Sequence, residues 1–156
     1  MKLLHALAVS IALLVAFWVY VAVGNGLGNF GFIPWIGFVA WAAFFAAGGG
    51  KDGFLKPLQS GLAGILLTSL CMYGVAQAGG GLTAAIVLIA ILAAVLVLIA
   101  DIGIFSYTPA AFLGAASFFG SMKPDGDLTL YVVTSWIAGL ILGYVSEALG
   151  KKMTKA

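Results

Sequence analysis

FGFIPWIGFVAWAAFFAAG (residues 30–48) and FSYTPAAFLGAASFFG (residues 105–120) are two hydrophobic stretches with the same spacing of phenylalanine and proline. In each stretch a Phe is followed four residues later by Pro34 or Pro109. Each then has a Phe six residues before a Phe-Phe pair; these six are Phe38, Phe44, Phe45, Phe112, Phe118 and Phe119. The pattern predicts two proline-broken helices that face each other in a membrane and line what the protein encloses.

The composition of the chain is that of a membrane protein. Hydrophobic residues make up 63% of the 156 positions and charged residues 8%, and the mean hydropathy is +1.19. A soluble domain has about 25% charged residues, so this chain has too little polar surface for water. Its seven basic residues are scattered lysines and form no stripe for nucleic acid. We therefore predict an all-α protein of the lipid bilayer with no nucleic-acid partner.

Six apolar runs predict six transmembrane helices in a single domain, residues 1–156. The predicted spans are 3–23, 31–48, 55–77, 82–100, 103–121 and 128–149, followed by a tail at 151–156. The first run resembles a signal peptide. It is nevertheless about 20 residues long, as a spanning helix requires, so we expect it to be retained.

Lysine positions predict the orientation in the membrane. With the N-terminus in the cytoplasm, the outer side carries only Lys123. The inner side carries Lys2, Lys51, Lys56, Lys151, Lys152 and Lys155. An excess of lysine marks cytoplasmic loops, so we expect a multi-pass membrane protein with both termini in the cytoplasm.

The two halves of the chain resemble each other when they are aligned with Pro34 opposite Pro109. Besides the proline-containing stretches, AGILL at 63–67 then corresponds to AGLIL at 138–142. A slip of one position brings the two Phe-Phe pairs opposite each other. Repeat one is then 1–77 and repeat two is 78–150, with three spans each. An odd number of spans gives the repeats opposite orientations, an arrangement common in transporters and channels.

Small residues on the third and sixth spans predict close helix packing, which in lipid depends on small side chains. The glycines concerned are Gly61, Gly64, Gly139 and Gly143. Packing within one bundle and contact between subunits both fit this pattern. Three spans per repeat are few helices to surround a pathway, so we also expect a homo-oligomer.

The prolines and their neighbours suggest a solute pathway. Pro34 and Pro109 remove backbone donors, and such breaks usually face protein or a wet cavity, although a plain packing kink also fits. Polar side chains lie near only one of the two prolines: Ser106, Tyr107, Thr108 and Ser117. The six phenylalanines form either a hydrophobic constriction on this pathway or an aromatic core.

A few other side chains allow specific expectations. Asp101 is expected to cap the fifth helix rather than relay protons, and Glu147 to pair with Lys151 one turn later. Most tryptophans are expected in aromatic belts at the span ends, but Trp41 is too central for a belt and is expected in the interior.

The chain carries no sequence pattern of an enzyme. Cys71 is the only cysteine and His5 the only histidine, which excludes paired-thiol and histidine-cluster metal motifs. GxSxG, HExxH and P-loop patterns are also missing. We predict no catalytic residue, no cofactor and no metal.

Several motifs resemble one known family. They are WVYVAV at 18–23, WIGF at 35–38, AFFA at 43–46, TPAAFLGAASFFG at 108–120 and GLILGY at 139–144. On these residues the chain resembles the YcdZ-like family of small bacterial inner-membrane proteins. The resemblance covers nearly the whole chain. It implies an inner-membrane location and no assigned activity or site residues.

The absence of buried charge favours a channel or facilitator for a small neutral polar solute such as urea, an amide or ammonia. In this hypothesis the phenylalanines constrict the path and the hydroxyl-bearing residues bind the solute. A coupled secondary transporter is a close variant. The alternative from another class is a non-transporting membrane protein that assembles with a partner.

Overall fold

The structure is a computed structural model that describes residues 2–24, 31–121 and 127–155, without the side chain of Lys155. These ranges contain helices and turns but no β-strand, so the all-α prediction is confirmed. The helices are α1 (Leu3–Ala22), α2 (Pro34–Ala46), α3 (Gly50–Gln77), α4 (Leu82–Leu98), α5 (Thr108–Gly120) and α6 (Leu128–Lys155), with 3₁₀ turns at Ile99–Asp101 and Gly103–Phe105.

The six helices differ in length. Four helical segments are long and apolar enough to cross a membrane: Leu3–Ala22, Gly50–Gln77, Leu82–Asp101 and Leu128–Thr154. By contrast, α2 and α5 have 13 residues each. At 1.5 Å per residue this is about 20 Å, short of the roughly 30 Å hydrocarbon layer. The helices within the predicted spans 31–48 and 103–121 are therefore shorter than predicted, and six spanning helices are not confirmed.

Two prolines begin the short helices. Pro34 is the first residue of α2 and Pro109 is the second residue of α5. Proline suits the first turn because the N–H it lacks would have no acceptor there, and because its φ is already helical. The prediction that Pro34 and Pro109 break helices is therefore wrong: they start them. Phe30, four residues before Pro34, lies outside the described residues.

A three-glycine turn joins α2 to α3. Gly48, Gly49 and Gly50 have φ values of 98°, 69° and 60°, a region that glycine enters without steric cost. The N–H groups of Gly48 and Gly49 donate to carbonyls in the last turn of α2, as at many helix C-termini. The turn is so compact that residues 51–53, predicted to be a loop, already belong to α3.

The C-terminal part of α6 is hydrogen-bonded to the start of α3. Lys151 donates to the carboxylate of Glu147, so the predicted ion pair is confirmed. The same carboxylate accepts the N–H of Gly50 at 2.6 Å. Beyond this contact α6 continues through residues 151–155, which were predicted to form a tail.

Asp101 does not cap α5. It lies in the first 3₁₀ turn and is exposed. The N-cap residue of α5 is Tyr107, and no side chain bonds to the free N–H groups there. The prediction for Asp101 is wrong because a second 3₁₀ turn, Gly103–Phe105, separates it from the helix.

Side-chain contacts give the helix directions. α3 and α6 are antiparallel, because Trp136 bonds to Pro57 near the start of α3 while Thr129 bonds to Ser69 further along it. Near the C-terminal end of α6, a Cβ on Gly150 would contact Leu7 of α1. The start of α1, the start of α3 and the end of α6 therefore lie at one end of the bundle.

The last three helical segments match the first three in length and packing. The lengths are 20, 13 and 28 residues for α1 to α3, and 20, 13 and 28 for Leu82–Asp101, α5 and α6. The most extensive contacts are those of α3 with α5 and of α6 with α2, and α4 packs on α3 as α1 packs on α6. Each short helix thus packs mainly on the long helix of the other half.

Candidate functional site

The interior between the two halves is filled with large side chains. Trp136, Phe44, Ile36, Ile65 and Leu140 are fully buried, and they form one apolar cluster at the centre of the bundle. Aromatic and aliphatic groups of this size exclude water from the centre. The centre of the bundle is therefore filled by these side chains.

The structure does not bring the six phenylalanines together. Phe44 and Phe118 are buried in the central cluster. Phe38 and Phe112 are 41% and 42% exposed on the outer surface, so the predicted constriction of six phenylalanines is not formed within one chain. The reason is helical geometry: a residue six positions away is turned by about 120° from the first, whereas one seven positions away is nearly aligned. Phe45 and Phe119 are accordingly half-buried and line outer grooves with Phe38 and Phe112.

The polar residues before α5 lie at the edge of the bundle. Ser106 and Pro109 are exposed, and Tyr107 and Thr108 are half-buried. Tyr107 packs against the central cluster. These side chains surround the start of a helix rather than a break inside one.

Three tryptophans hold the helices together through their indole N–H groups. Trp18 donates to the carbonyl of Pro34 at 2.9 Å, and Trp136 donates to that of Pro57 at 3.1 Å. Trp41 is buried and donates to the hydroxyl of Ser146 at 3.1 Å. The interior prediction for Trp41 is confirmed, whereas Trp18 and Trp136 are buried and the belt prediction is wrong for them.

The four glycines of the predicted packing faces all contact other parts of the same chain. A Cβ at Gly61 would overlap the indole of Trp136, and one at Gly143 would come within 2.8 Å of the ring of Phe44. At Gly64 and Gly139 the obstacle is backbone, the carbonyl oxygens of Ala111 and Gly37. These positions therefore let helices of one chain approach closely.

Three buried hydroxyls have no hydrogen-bond partner among the described residues: those of Ser60, Ser117 and Ser121. Ser60 and Ser117 are completely buried, and Ser121 is 5% exposed. Other buried hydroxyls are bonded; Ser10, for example, donates to the carbonyl of Ser146 at 2.9 Å. Leaving a buried hydroxyl unpaired costs about 1–3 kcal/mol, so these three are exceptions among the buried hydroxyls of the described residues.

The three hydroxyls belong to the faces that α3 and α5 turn to each other. A Cβ at Gly114 would overlap the carbonyl oxygen of Gly61, so the two backbones are in contact there. Ser117 lies three residues after Gly114 on the same helix face, and Ser121 directly follows the last residue of α5. Ser60 lies four residues before Gly64, on the face that meets Ala111. We call this set, Ser60, Ser117 and Ser121, the hydroxyl seam.

The corresponding seam between α2 and α6 has no unpaired hydroxyl among the described residues. Ser135, the counterpart of Ser60 in the second half, accepts the N–H of Ile33 at 2.8 Å and donates to Tyr131 at 2.6 Å. When the two Phe-Phe pairs are aligned, the counterparts of Ser117 and Ser121 are Ala43 and Ala47. Alanine has no hydroxyl to leave unpaired.

Sequence reasoning identified only one member of the hydroxyl seam, Ser117. Ser60 could have been found as the counterpart of Ser135, because both belong to the aligned long helices. Nothing in the sequence marks Ser121.

Charged groups are not part of the seam. Within residues 2–24, 31–121 and 127–155, no three His, Cys, Asp or Glu side chains stand close enough to hold a metal ion. The seam can donate and accept hydrogen bonds but supplies no acid, base or nucleophile pair. Its chemistry is therefore limited to hydrogen bonding.

Comparison with known proteins gives matches over nearly the whole chain. The family described as "Protein of unknown function (DUF1097)" matches residues 8–151. The uncharacterized protein YahC of Escherichia coli is 30% identical over 98% of this chain and 94% of its own length. The inner membrane protein YcdZ is also 30% identical, covering 96% of this chain and 87% of the Escherichia coli protein or 89% of the Salmonella typhimurium one. No solved structure shows significant similarity to the chain. The resemblance drawn from the sequence motifs is confirmed.

Proposed function

The chain belongs to the DUF1097 family of proteins of unknown function and is a helical inner-membrane protein, and we propose that it is a facilitator for a small neutral polar solute. Urea, a short amide or ammonia fits this class. Such a solute crosses along the hydroxyl seam between α3 and α5. The protein needs no cofactor for this passage.

The observation that carries this proposal is the unpaired state of Ser60, Ser117 and Ser121. A hydroxyl in a membrane helix ordinarily bonds to a backbone carbonyl one turn earlier, as Thr68 does to Gly64 at 2.7 Å. The three seam hydroxyls do not, so their donors and acceptors are available. A small solute with both kinds of group supplies the missing bonds, and an ion gains no opposite charge there.

We further propose that the protein is built from two inverted three-helix repeats, 1–77 and 78–150. The equal helix lengths and the exchange of short-helix contacts support this arrangement. So does the antiparallel packing of α3 on α6. In such folds the solute site lies between the repeats, and α3 and α5 belong to different repeats.

The distribution of lysines supports an orientation with both termini in the cytoplasm. Lys2, Lys51 and Lys56 are close to the starts of α1 and α3, and Lys151 and Lys152 are close to the end of α6. These starts and ends share one end of the bundle. Lys123, predicted on the opposite side, lies outside the described residues.

Passage requires a change of shape. The glycine contacts between α3 and α5 close the seam in the present conformation. We propose that the two halves part at this seam to admit solute and close behind it, with Phe118 as the large side chain beside Ser117. Two members of the predicted pathway, Phe38 and Phe112, face outward and take no part.

Solute-driven swelling of proteoliposomes tests the proposal. The wild-type protein should admit urea, formamide or ammonia faster than empty liposomes do, and Ser60→Ala combined with Ser117→Ala should slow this entry. Thr134→Ala is the matched control, because its hydroxyl already bonds to backbone on α6. If the double variant conducts as well as wild type, or if no solute enters faster than into empty liposomes, the proposal fails.

A second candidate function has one specific observation in its favour. The fully packed central cluster is also what a non-transporting membrane protein needs, and such a protein would act by assembling with a partner or with further copies of itself. In that case the swelling assay shows no flux, and cross-linking in native membranes yields a defined assembly.

A further inference from the structure

A groove on the outside of the bundle runs between α3 and α6 at the end where α1 begins and α6 ends. Its volume is about 440 Å³, and its lining residues are Lys51, Phe54, Leu55, Ile141 and Tyr144. We propose that it binds one anionic phospholipid, with the phosphate on the Lys51 ammonium group and an acyl chain along the apolar floor. The proposal does not depend on whether the protein transports a solute.

The charge of the groove points to an anionic headgroup. Lys51 is exposed and makes no ion pair with any described residue. The neighbouring carboxylates are already engaged: Asp52 pairs with Lys56 at 3.3 Å, and Glu147 binds Lys151 and the N–H of Gly50. The Lys51 ammonium group is therefore free to bind a phosphate. It lies in the first turn of a spanning helix, where lipid headgroups are found.

The floor of the groove suits an acyl chain. The rings of Phe54 and Tyr144 pack edge to face with centroids 6.1 Å apart, and Tyr144 in turn packs on buried Phe44 at 6.3 Å. This aromatic stack fixes the shape of the floor. Ile141, 48% exposed, lies six residues before Glu147, so the groove reaches about 9 Å from the charged end along α6. An acyl chain attached to a headgroup at Lys51 would follow the same direction.

A second groove between the same helices, at their opposite ends, provides an internal comparison. It measures about 550 Å³ and is lined by Leu66, Asp127, Leu128, Thr129, Leu130 and Val133. In the alignment of the two halves, Leu66 corresponds to Ile141 and Leu130 to Leu55. Among the described residues that line this second groove, the charged one is Asp127, whereas the first groove has Lys51. An anionic headgroup is repelled there and attracted at Lys51.

Native mass spectrometry of the detergent-solubilised protein tests the site. Dioleoylphosphatidylglycerol and dioleoylphosphatidylcholine are titrated separately. Wild type should retain one phosphatidylglycerol more tightly than phosphatidylcholine, and Lys51→Ala should weaken the first complex about fivefold. Lys152→Ala is the control, because this exposed lysine lies near the same end but does not line the groove.

A gain-of-binding variant completes the test. Asp127→Lys gives the second groove the charge of the first, so we expect it to retain a second phosphatidylglycerol. The proposal is overturned if wild type binds both lipids equally, if Lys51→Ala binds phosphatidylglycerol as wild type does, or if Lys152→Ala loses as much affinity as Lys51→Ala. The last result would mean general attraction to a basic surface. A site that survives all three comparisons is specific to the groove.

Discussion

Gly64 lies so close to the carbonyl oxygen of Ala111 that a Cβ at position 64 would overlap this oxygen. The same relationship joins their counterparts in the other half, Gly139 and the carbonyl oxygen of Gly37. Each contact brings a long helix of one half against the short helix of the other. Helices in lipid depend on such close packing for their association, because the lipid supplies no hydrophobic driving force between them.

Substitution of Gly64 by alanine should therefore destabilise the protein. The added methyl group meets rigid backbone, so α3 and α5 must move apart, at a cost of about 1–3 kcal/mol. We expect a lower midpoint of thermal unfolding in detergent. Gly74→Ala is the matched control on the same helix, because its Cβ would contact only the Leu88 side chain at an ordinary 3.5 Å. Equal midpoints for the two variants would contradict this account of the seam.

The contribution of the hydrogen bond between Trp41 and Ser146 to stability can be measured with a double-mutant cycle. Ser146→Ala leaves the buried indole N–H of Trp41 without its acceptor, at a cost of about 1–3 kcal/mol. Trp41→Phe removes that donor. The double variant should then be less destabilised than the sum of the two single variants. Additive losses in thermal unfolding would show that the bond contributes nothing beyond packing.

Ser60 and Ser135 should respond oppositely to alanine, although they occupy corresponding positions. Ser135→Ala removes the acceptor of the Ile33 N–H, so we expect a loss of about 1–3 kcal/mol in the free energy of unfolding. Ser60→Ala removes an unpaired buried hydroxyl and should leave stability unchanged or raise it. The midpoints of thermal unfolding of the two variants test this prediction. A Ser60→Ala variant less stable than Ser135→Ala would show that Ser60 has a structural partner.

Glu147→Ala should cost more stability than Asp52→Ala. The Glu147 carboxylate binds the Gly50 N–H as well as Lys151, and bonds of this kind contribute about 1.5–3 kcal/mol. Asp52 has only the exposed pair with Lys56, worth about 0–1 kcal/mol. Hydrogen exchange at the Gly50 amide should also accelerate in Glu147→Ala. Unchanged exchange there would contradict the proposed tie between α6 and α3.

Some features could be predicted from the sequence because they depend on short stretches of chain. The apolar composition identifies a membrane protein, and the spacing of Glu147 and Lys151 predicts their ion pair. The recurrence of Pro34 and Pro109 marks two corresponding helices. The sequence did not reveal that these prolines start short helices, because a proline at a helix start and one within a helix have similar flanking residues.

The sequence by itself determined the helical class, the membrane location and the family. Only the tertiary structure decided that Phe44 points inward while Phe38 points outward, and that Ser60 is unpaired while Ser135 is bonded. The physical reason is that all faces of these helices are apolar, so periodicity does not mark the buried side. Which face is buried, and which hydroxyl finds a partner, depends on the helix that packs against it.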